Sequence, residues 1–184
     1  RTQAWRGNVV AIGLAAGFLE PLESTSIHLV QSAITRLLAL FPDRGWGDAE
    51  RDTYNHLTCS QYERVRDFIL LHYHLNARDE PLWRHARTMA LPDSLAQRIA
   101  LFANRGRIFR HEDELFAEAS WIAVMLGQGV VPRGWDPLAD ALDADQAGAM
   151  LARIAATFAR TAEAMPSHAA WLRQAVSAAA RIAS

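Results

Sequence analysis

The chain of 184 residues is long enough for one domain with a real core and short for two. About half of it is hydrophobic and 21% is charged, a balance that excludes a disordered chain. A net charge of -1 gives no electrostatic reason to expect a nucleic-acid or membrane-surface partner, and all 19 basic residues are arginine. The single cysteine, Cys59, excludes an internal disulfide and points to a reducing, cytoplasmic setting, where a lone thiol is expected to be structural. No apolar run approaches bilayer length, and nothing at the start has the form of a signal peptide. The first residue is Arg1, which suits a fragment or a processed product.

In chain order, Asn8 to Gly13 is a short, partly β-branched apolar run that reads as a buried strand. Gly13 to Gly17 is small and flexible, and Pro21 disfavours helix at the residue before it. From Ser26 to Phe41 the spacing of Ile27, Val30, Ile34, Leu37, Leu38 and Phe41 predicts a long amphipathic helix. Ser24, Thr25 and Ser26 stand where N-cap residues belong, and the run stops at Pro42 to Gly45.

The remainder is expected to be helical throughout. Tyr62, Val65, Phe68, Ile69, His72 and Tyr73 form a second face, and Leu95, Ile99 and Phe102 a third behind a cap at Asp93 or Ser94. Leu115, Phe116, Ala119, Ile122 and Ala123 continue, with Val124 to Leu126 completing the run before Gly127. Met150, Leu151, Ile154 and Phe158 make one late stripe. Trp171, Leu172, Val176, Ala179 and Ile182 make another, entered through Pro166 and Ser167. A lone strand cannot satisfy its own backbone donors and acceptors, so the strand at Val9 is expected to join a sheet whose other strands lie upstream of Arg1.

The informative stretch is 13–27, GLAAGFLEPLESTSI, which sets two carboxylates, Glu20 and Glu23, beside three hydroxyl residues at a helix start. Free N–H groups and the positive end of the helix dipole make such a place a ready anion site. Plain N-capping, with Glu23 set against the dipole, is the alternative. Of the other candidates, His72 and His74 lie two apart on a helix and point in different directions, against a shared metal. Phe116 and Trp121 suit either the wall of an aromatic pocket or the core.

Residues 8–28, NVVAIGLAAGFLEPLESTSIH, resemble a motif of the flavin-dependent tryptophan halogenases. Arg66 to Tyr73, Ser120–Trp121 and Met125 to Gly129 resemble the helical region of the same family. The resemblance implies a mostly α-helical C-terminal portion (1–184) of an FAD-dependent, monooxygenase-like α+β flavoprotein. Residues 1–41 would be its strand, flavin- and halide-side loop and long helix, and 42–184 its helical substrate side.

It implies an oxidoreductase in which reduced FAD, oxygen and chloride or bromide give a hypohalous species. A lysine and a glutamate direct that species to tryptophan, indole or a related arene. Carried over by position, Glu23 is that catalytic glutamate and Ser24 its polar support. Thr25 and Ser26 would hold halide through backbone N–H groups, Ser26 standing where a glycine commonly follows the threonine. Gly13, Leu14, Ala15 and Ile27 would lie against FAD, and Phe116 and Trp121 against the small aromatic substrate. Implied partners are a flavin reductase and an N-terminal FAD-binding portion, and a homodimer is compatible.

The chain has no Gly-x-Gly-x-x-Gly, no match to the family's tryptophan-rich signature at Gly45–Gly47, and no lysine. Arginine is a poor substitute for that lysine, because its delocalised cation forms no haloamine. The chain alone is therefore expected to be inactive. Two rivals stand beside this reading: a flavin monooxygenase that does not halogenate, and a non-catalytic helical module that binds a partner.

Overall fold

The computed structural model describes residues 3–44, 47–111 and 114–182, without the side chains of 178–182. The readings made above at Arg1, at Gly45 and Trp46, and of the side chains of Ala179 and Ile182 lie outside the described residues.

The chain opens on a small antiparallel hairpin, β1 (Trp5–Arg6) and β2 (Val9–Val10), with Trp5 opposite Val10 and Arg6 opposite Val9. Gly7 and Asn8 make the two-residue turn, and Gly7 takes the left-handed φ of 56° that such turns demand. The strand at Val9 thus has a partner within the chain, and Val9 itself is exposed, not buried as expected. The hairpin is held from outside by Asn55. Its side-chain oxygen accepts from the backbone N–H groups of Ala4 and Trp5, and its Nδ2 donates to the Trp5 carbonyl at 2.9 Å. That amide acts as a one-residue strand extension.

A short 3-10 turn at Gly13–Ala15 and another at Leu22–Ser24 lead into α1 (Ser26–Ala39). The long helix α2 (Asp48–His74) follows, then α3 (Pro81–Thr88), α4 (Asp93–Arg105) and α5 (Glu118–Gly127). α2 reaches 14 residues further back than Tyr62, where its apolar spacing begins. The extra half buries Tyr54, Thr58 and Gln61, so its inward face is largely polar and carries no apolar period. α3, with Pro81 at its first turn, was not anticipated. At α4 neither Asp93 nor Ser94 caps the helix; Pro92 holds that position and the Ser94 hydroxyl donates to Asp67 instead.

α2 is the spine. Leu29 of α1 packs with Val65 and Ile69, and Trp5 and Ala33 pack with Tyr54. The largest cluster joins Phe68 and Leu71 to Leu95, Phe102, Ile108, Trp121 and Met125. Burying side chains of this size contributes about 1.5–3 kcal/mol each, which fixes α4 and α5 against one side of α2.

The described chain divides into two compact units, 1–136 and 137–184. The second holds a 3-10 turn (Pro137–Ala141), α6 (Ala144–Ala164) and α7 (His168–Ile182). Asp143 caps α6 by accepting from the Gln146 N–H. The predicted stripes form on both helices, and Leu151, Phe158, Trp171 and Val176 are exposed along them. Among the described residues no helix is long and apolar enough to cross a membrane.

Candidate active site

The segment between the two 3-10 turns and α1 departs from ordinary helix entry. Glu23 has φ 65° and Ser24 φ 51°, two consecutive residues with side chains in the left-handed region. Each such placement costs about 1–2 kcal/mol, so the surroundings must hold them there. α1 then begins with Thr25 at the N-cap position and no side-chain cap hydrogen bond. The Thr25 hydroxyl is buried without a partner. Plain capping by Ser24, Thr25 or Ser26 therefore does not describe this helix start. What stands there is an uncapped helix N-terminus, a concentration of N–H groups and positive dipole suited to an anion. A residue in αL followed by one in αR adds a backbone nest of the same polarity.

Beside this start lies an apolar cavity of about 140 Å³ that Gly13, Leu14, Ser26 and Ile27 help to line. Gly13, at φ 65°, makes the turn that brings the preceding loop against α1. Leu14 and Ile27 stay exposed, as does Phe18, leaving apolar surface unusual for a free loop. Of the residues assigned to halide and flavin, Gly13, Leu14, Ser26 and Ile27 are thus gathered at one cavity. Ala15 shares the Gly13 turn without lining it; Thr25 is buried and Ser24 exposed, and neither lines the cavity.

The carboxylates are gripped by adjacent residues at the end of α2. The Tyr73 hydroxyl donates to Glu20 Oε2, and that bond, followed by burial, pushes the phenol above its ordinary range. Tyr73 also stacks on Trp83 of α3, with ring centroids 5.3 Å apart. His72 Nε2 lies 3.3 Å from Glu23 Oε1, while its Nδ1 donates to the Phe68 carbonyl at 2.8 Å. His74 turns the other way, toward the Ala86 carbonyl, so the two histidines serve different partners.

Phe116 and Trp121 sit in the packed interior. Phe116 stacks on Phe68 at 3.8 Å, and Trp121 meets the edge of the same ring at 4.8 Å. Trp121 is 1% exposed, so core packing is what the structure gives it. It also borders a cavity of about 290 Å³ whose charged walls are engaged with one another. There Arg98 pairs with buried Glu114 and lies over the Trp121 ring, 4.0 Å from its centroid, and Asp67 takes Arg66 and Ser94. Both aromatics connect to the motif through Phe68, whose edge contact with His72 puts the ring layer behind Glu23.

Sequence reasoning missed the tie between His72 and Glu23, which are 49 residues apart, and the Arg98–Glu114 pair. Arg36 donates to Gln61 Oε1, which turns the Gln61 amide nitrogen toward His28 Nε2 and leaves the ring's proton on Nδ1. Cys59, half-buried with its thiol donating to Glu63, is pushed up by burial first and by Glu63 second, so it is no activated nucleophile.

The family profile described as tryptophan halogenase matches residues 1–144. A 7-chloro-L-tryptophan 6-halogenase, KtzR from a Kutzneria species, is 35% identical over 90% of this chain and 33% of its own length. The structure of BrvH, a flavin-dependent halogenase from a Brevundimonas species, superposes with TM-score 0.90 and 46% identity over 95% of this chain and 36% of that one. The tryptophan 6-halogenase SttH from Streptomyces toxytricini superposes with TM-score 0.81 and 31% identity, over 93% of this chain and 34% of its own. The chain spans about a third of the length of these relatives. An uncapped helix start under a strained Glu-Ser pair is therefore found in a chain that belongs to the tryptophan halogenase family.

Proposed function

We propose that this chain supplies the halide- and carboxylate-bearing part of a flavin-dependent halogenase acting on tryptophan, indole or a related arene. The observation that carries the proposal is the uncapped start of α1 beneath Glu23 and Ser24, with the cavity edged by Gly13, Leu14, Ser26 and Ile27 beside it. The residues fit a flavin: the Gly13 turn keeps backbone close, and exposed Leu14 and Ile27 offer an apolar face. Bound in reduced form with oxygen, FAD supplies the oxidation that raises chloride or bromide to the hypohalous level.

This chain's own residues would do the rest. Backbone N–H groups of Thr25 and Ser26, uncapped, hold the halide by charge-assisted hydrogen bonds. Glu23, partly exposed, orients the halogen donor. As the arene carbon forms its bond to halogen and the halogen–oxygen bond breaks, Glu23 accepts the ring proton. Ser24, next in the chain, is its polar support. The lysine that the family pairs with this glutamate, the FAD-binding portion and a reductase for FAD would be contributed from outside residues 1–184.

The test is an assay of the polypeptide that carries this chain, with reduced FAD, oxygen, indole and either chloride or bromide, read by mass spectrometry. The expected product is halogenated and its yield follows halide. Glu23→Gln lowers the rate by about a hundredfold or more, the scale of a lost general base. An oxygenated product whose yield ignores halide would instead favour a monooxygenase and sink the assignment.

A further inference from the structure

We propose that Tyr73 is a positioning residue for Glu23: by holding Glu20, it locks the strained turn from which Glu23 is presented. The inference deepens the reading above and rests on it for the rate alone, not for the geometry of the turn. Glu23 at φ 65° and Ser24 at φ 51° persist only where the surroundings over-determine them. Inside the turn, the Ser24 N–H donates to the Pro21 carbonyl at 2.9 Å. A bond internal to the turn shapes it but cannot fix it against the rest of the protein.

That fixing comes from one stripe of α2. Val65, Ile69 and Tyr73 lie four residues apart and so follow one another along one face of the helix. Leu29, beyond the turn, is buried with Val65 and Ile69, and Leu19, before the turn, packs against the same cluster, as does Tyr73. Apolar packing has no direction, so by itself it lets Leu19 slide. The Tyr73 hydroxyl supplies the direction by donating to Glu20 Oε2. Pro21, with its ring-locked φ of -74°, carries the fix into the turn. Tyr73 is itself steadied by its stack on Trp83, with the ring planes 28° apart. The second oxygen of Glu20, Oε1, is buried without a partner among the described residues. A polar atom left in that state calls for an explanation, and anchoring the turn supplies one.

Substitutions at both ends of the bond separate positioning from packing. Tyr73→Phe keeps the ring and its stack and removes the donor alone, whereas Glu20→Gln keeps an acceptor of the same reach. In the halogenation assay, Tyr73→Phe is expected to lower kcat by about tenfold to a hundredfold with KM little changed, the scale of a reacting group misplaced by about 1 Å. Glu20→Gln should retain most of the rate, while Glu20→Leu should fall as far as Tyr73→Phe. A Tyr73→Phe rate equal to that of the unsubstituted protein would overturn the proposal, as would equal losses in Glu20→Gln and Glu20→Leu.

A readout independent of turnover is amide hydrogen exchange in the polypeptide that carries this chain, followed by NMR. The Ser24 N–H is expected to exchange about tenfold faster in Tyr73→Phe and as slowly as before in Glu20→Gln. The Gly106 N–H, which donates to the Phe102 carbonyl at the end of α4, should keep its rate in both variants. Unchanged exchange at Ser24, or equal acceleration at Ser24 and Gly106, would overturn the proposal. Failure of the halogenase reading shows differently: no halogenated product from the unsubstituted protein, with the contrast between the two amides intact.

Discussion

Replacing Glu114 by alanine tests the least replaceable polar contact of the larger unit. The Glu114 side chain is 1% exposed and that of Arg98 is 13% exposed. Both guanidinium Nη atoms of Arg98 donate to the carboxylate, and the His111 backbone N–H adds a third donor at 3.1 Å. Removing the acid strands the arginine between Trp121 and a partly closed cavity, with its counter-charge gone. Breaking one partner of a buried pair costs about 3–5 kcal/mol. The cation–π contact of Arg98 with Trp121 is present before and after the substitution and offsets none of this loss. The expected loss is therefore about 3–5 kcal/mol, or roughly 6–20 °C in Tm for a chain of this size. Urea denaturation followed by tryptophan fluorescence gives the free energy, and the double variant Arg98→Met with Glu114→Leu is the control. Removing both charges together is expected to cost at least about 2 kcal/mol less than Glu114→Ala alone, because no unpaired ion remains. A single-variant loss below about 1 kcal/mol, or a double variant as unstable as the sum of its parts, would refute the reasoning.

Other expectations follow from the same geometry. Glu23→Gly releases a left-handed residue from its side-chain penalty and is expected to stabilise the fold by about 1 kcal/mol while abolishing halogenation, read by thermal unfolding beside the assay. Tyr73→Phe removes the hydroxyl that donates to Glu20, whose Oε1 is already buried without a partner among the described residues, and is expected to cost about 1–3 kcal/mol in urea. All three tyrosines are pushed upward, Tyr54 and Tyr62 chiefly by burial and Tyr73 chiefly by Glu20. A raised phenol holds its proton longer in the folded state. The stability linked to it is full below about pH 10 and lost as pH rises through the folded values. Phenolate absorbance should therefore lag that of free tyrosine until alkaline unfolding, and Tyr73→Phe should soften the slope. Cys59, raised by burial, should react with a thiol reagent at neutral pH more slowly than free cysteine does.

The legible part of the sequence was the part with an apolar period or a motif. α1 was readable from Ile27 to Leu38 because apolar residues repeat there at helical spacing, but the side it buries is that of Leu29 and Ala33, while Ile27, Ile34, Leu38 and Phe41 of the predicted face are exposed. The site segment was readable because its residues resemble a known pattern. The first half of α2 was hidden, since Tyr54, Thr58 and Gln61 face inward and break the apolar rhythm. The hairpin was hidden because two-residue strands have no period, although the Gly7–Asn8 turn was a usable signal. At the site, sequence could place Glu23 at a helix start but not reveal that the helix lacks a cap, which depends on two left-handed residues bearing side chains. Nor could spacing within the motif disclose His72, whose tie to Glu23 depends on how α2 packs.

α2 joins two distant fastenings, Asn55 on the hairpin and His72 on the glutamate, by one uninterrupted helix. The interval between them works as a ruler: one residue more or fewer would swing the imidazole by about 100° and slide it by about 1.5 Å. Even a seven-residue insertion, which nearly restores the rotation, would displace it by about 10 Å. Length variation between relatives should therefore collect in the connections around α2 and be purged from the stretch between Asn55 and His72. An engineered single-residue deletion there should silence the site while leaving the helix itself intact.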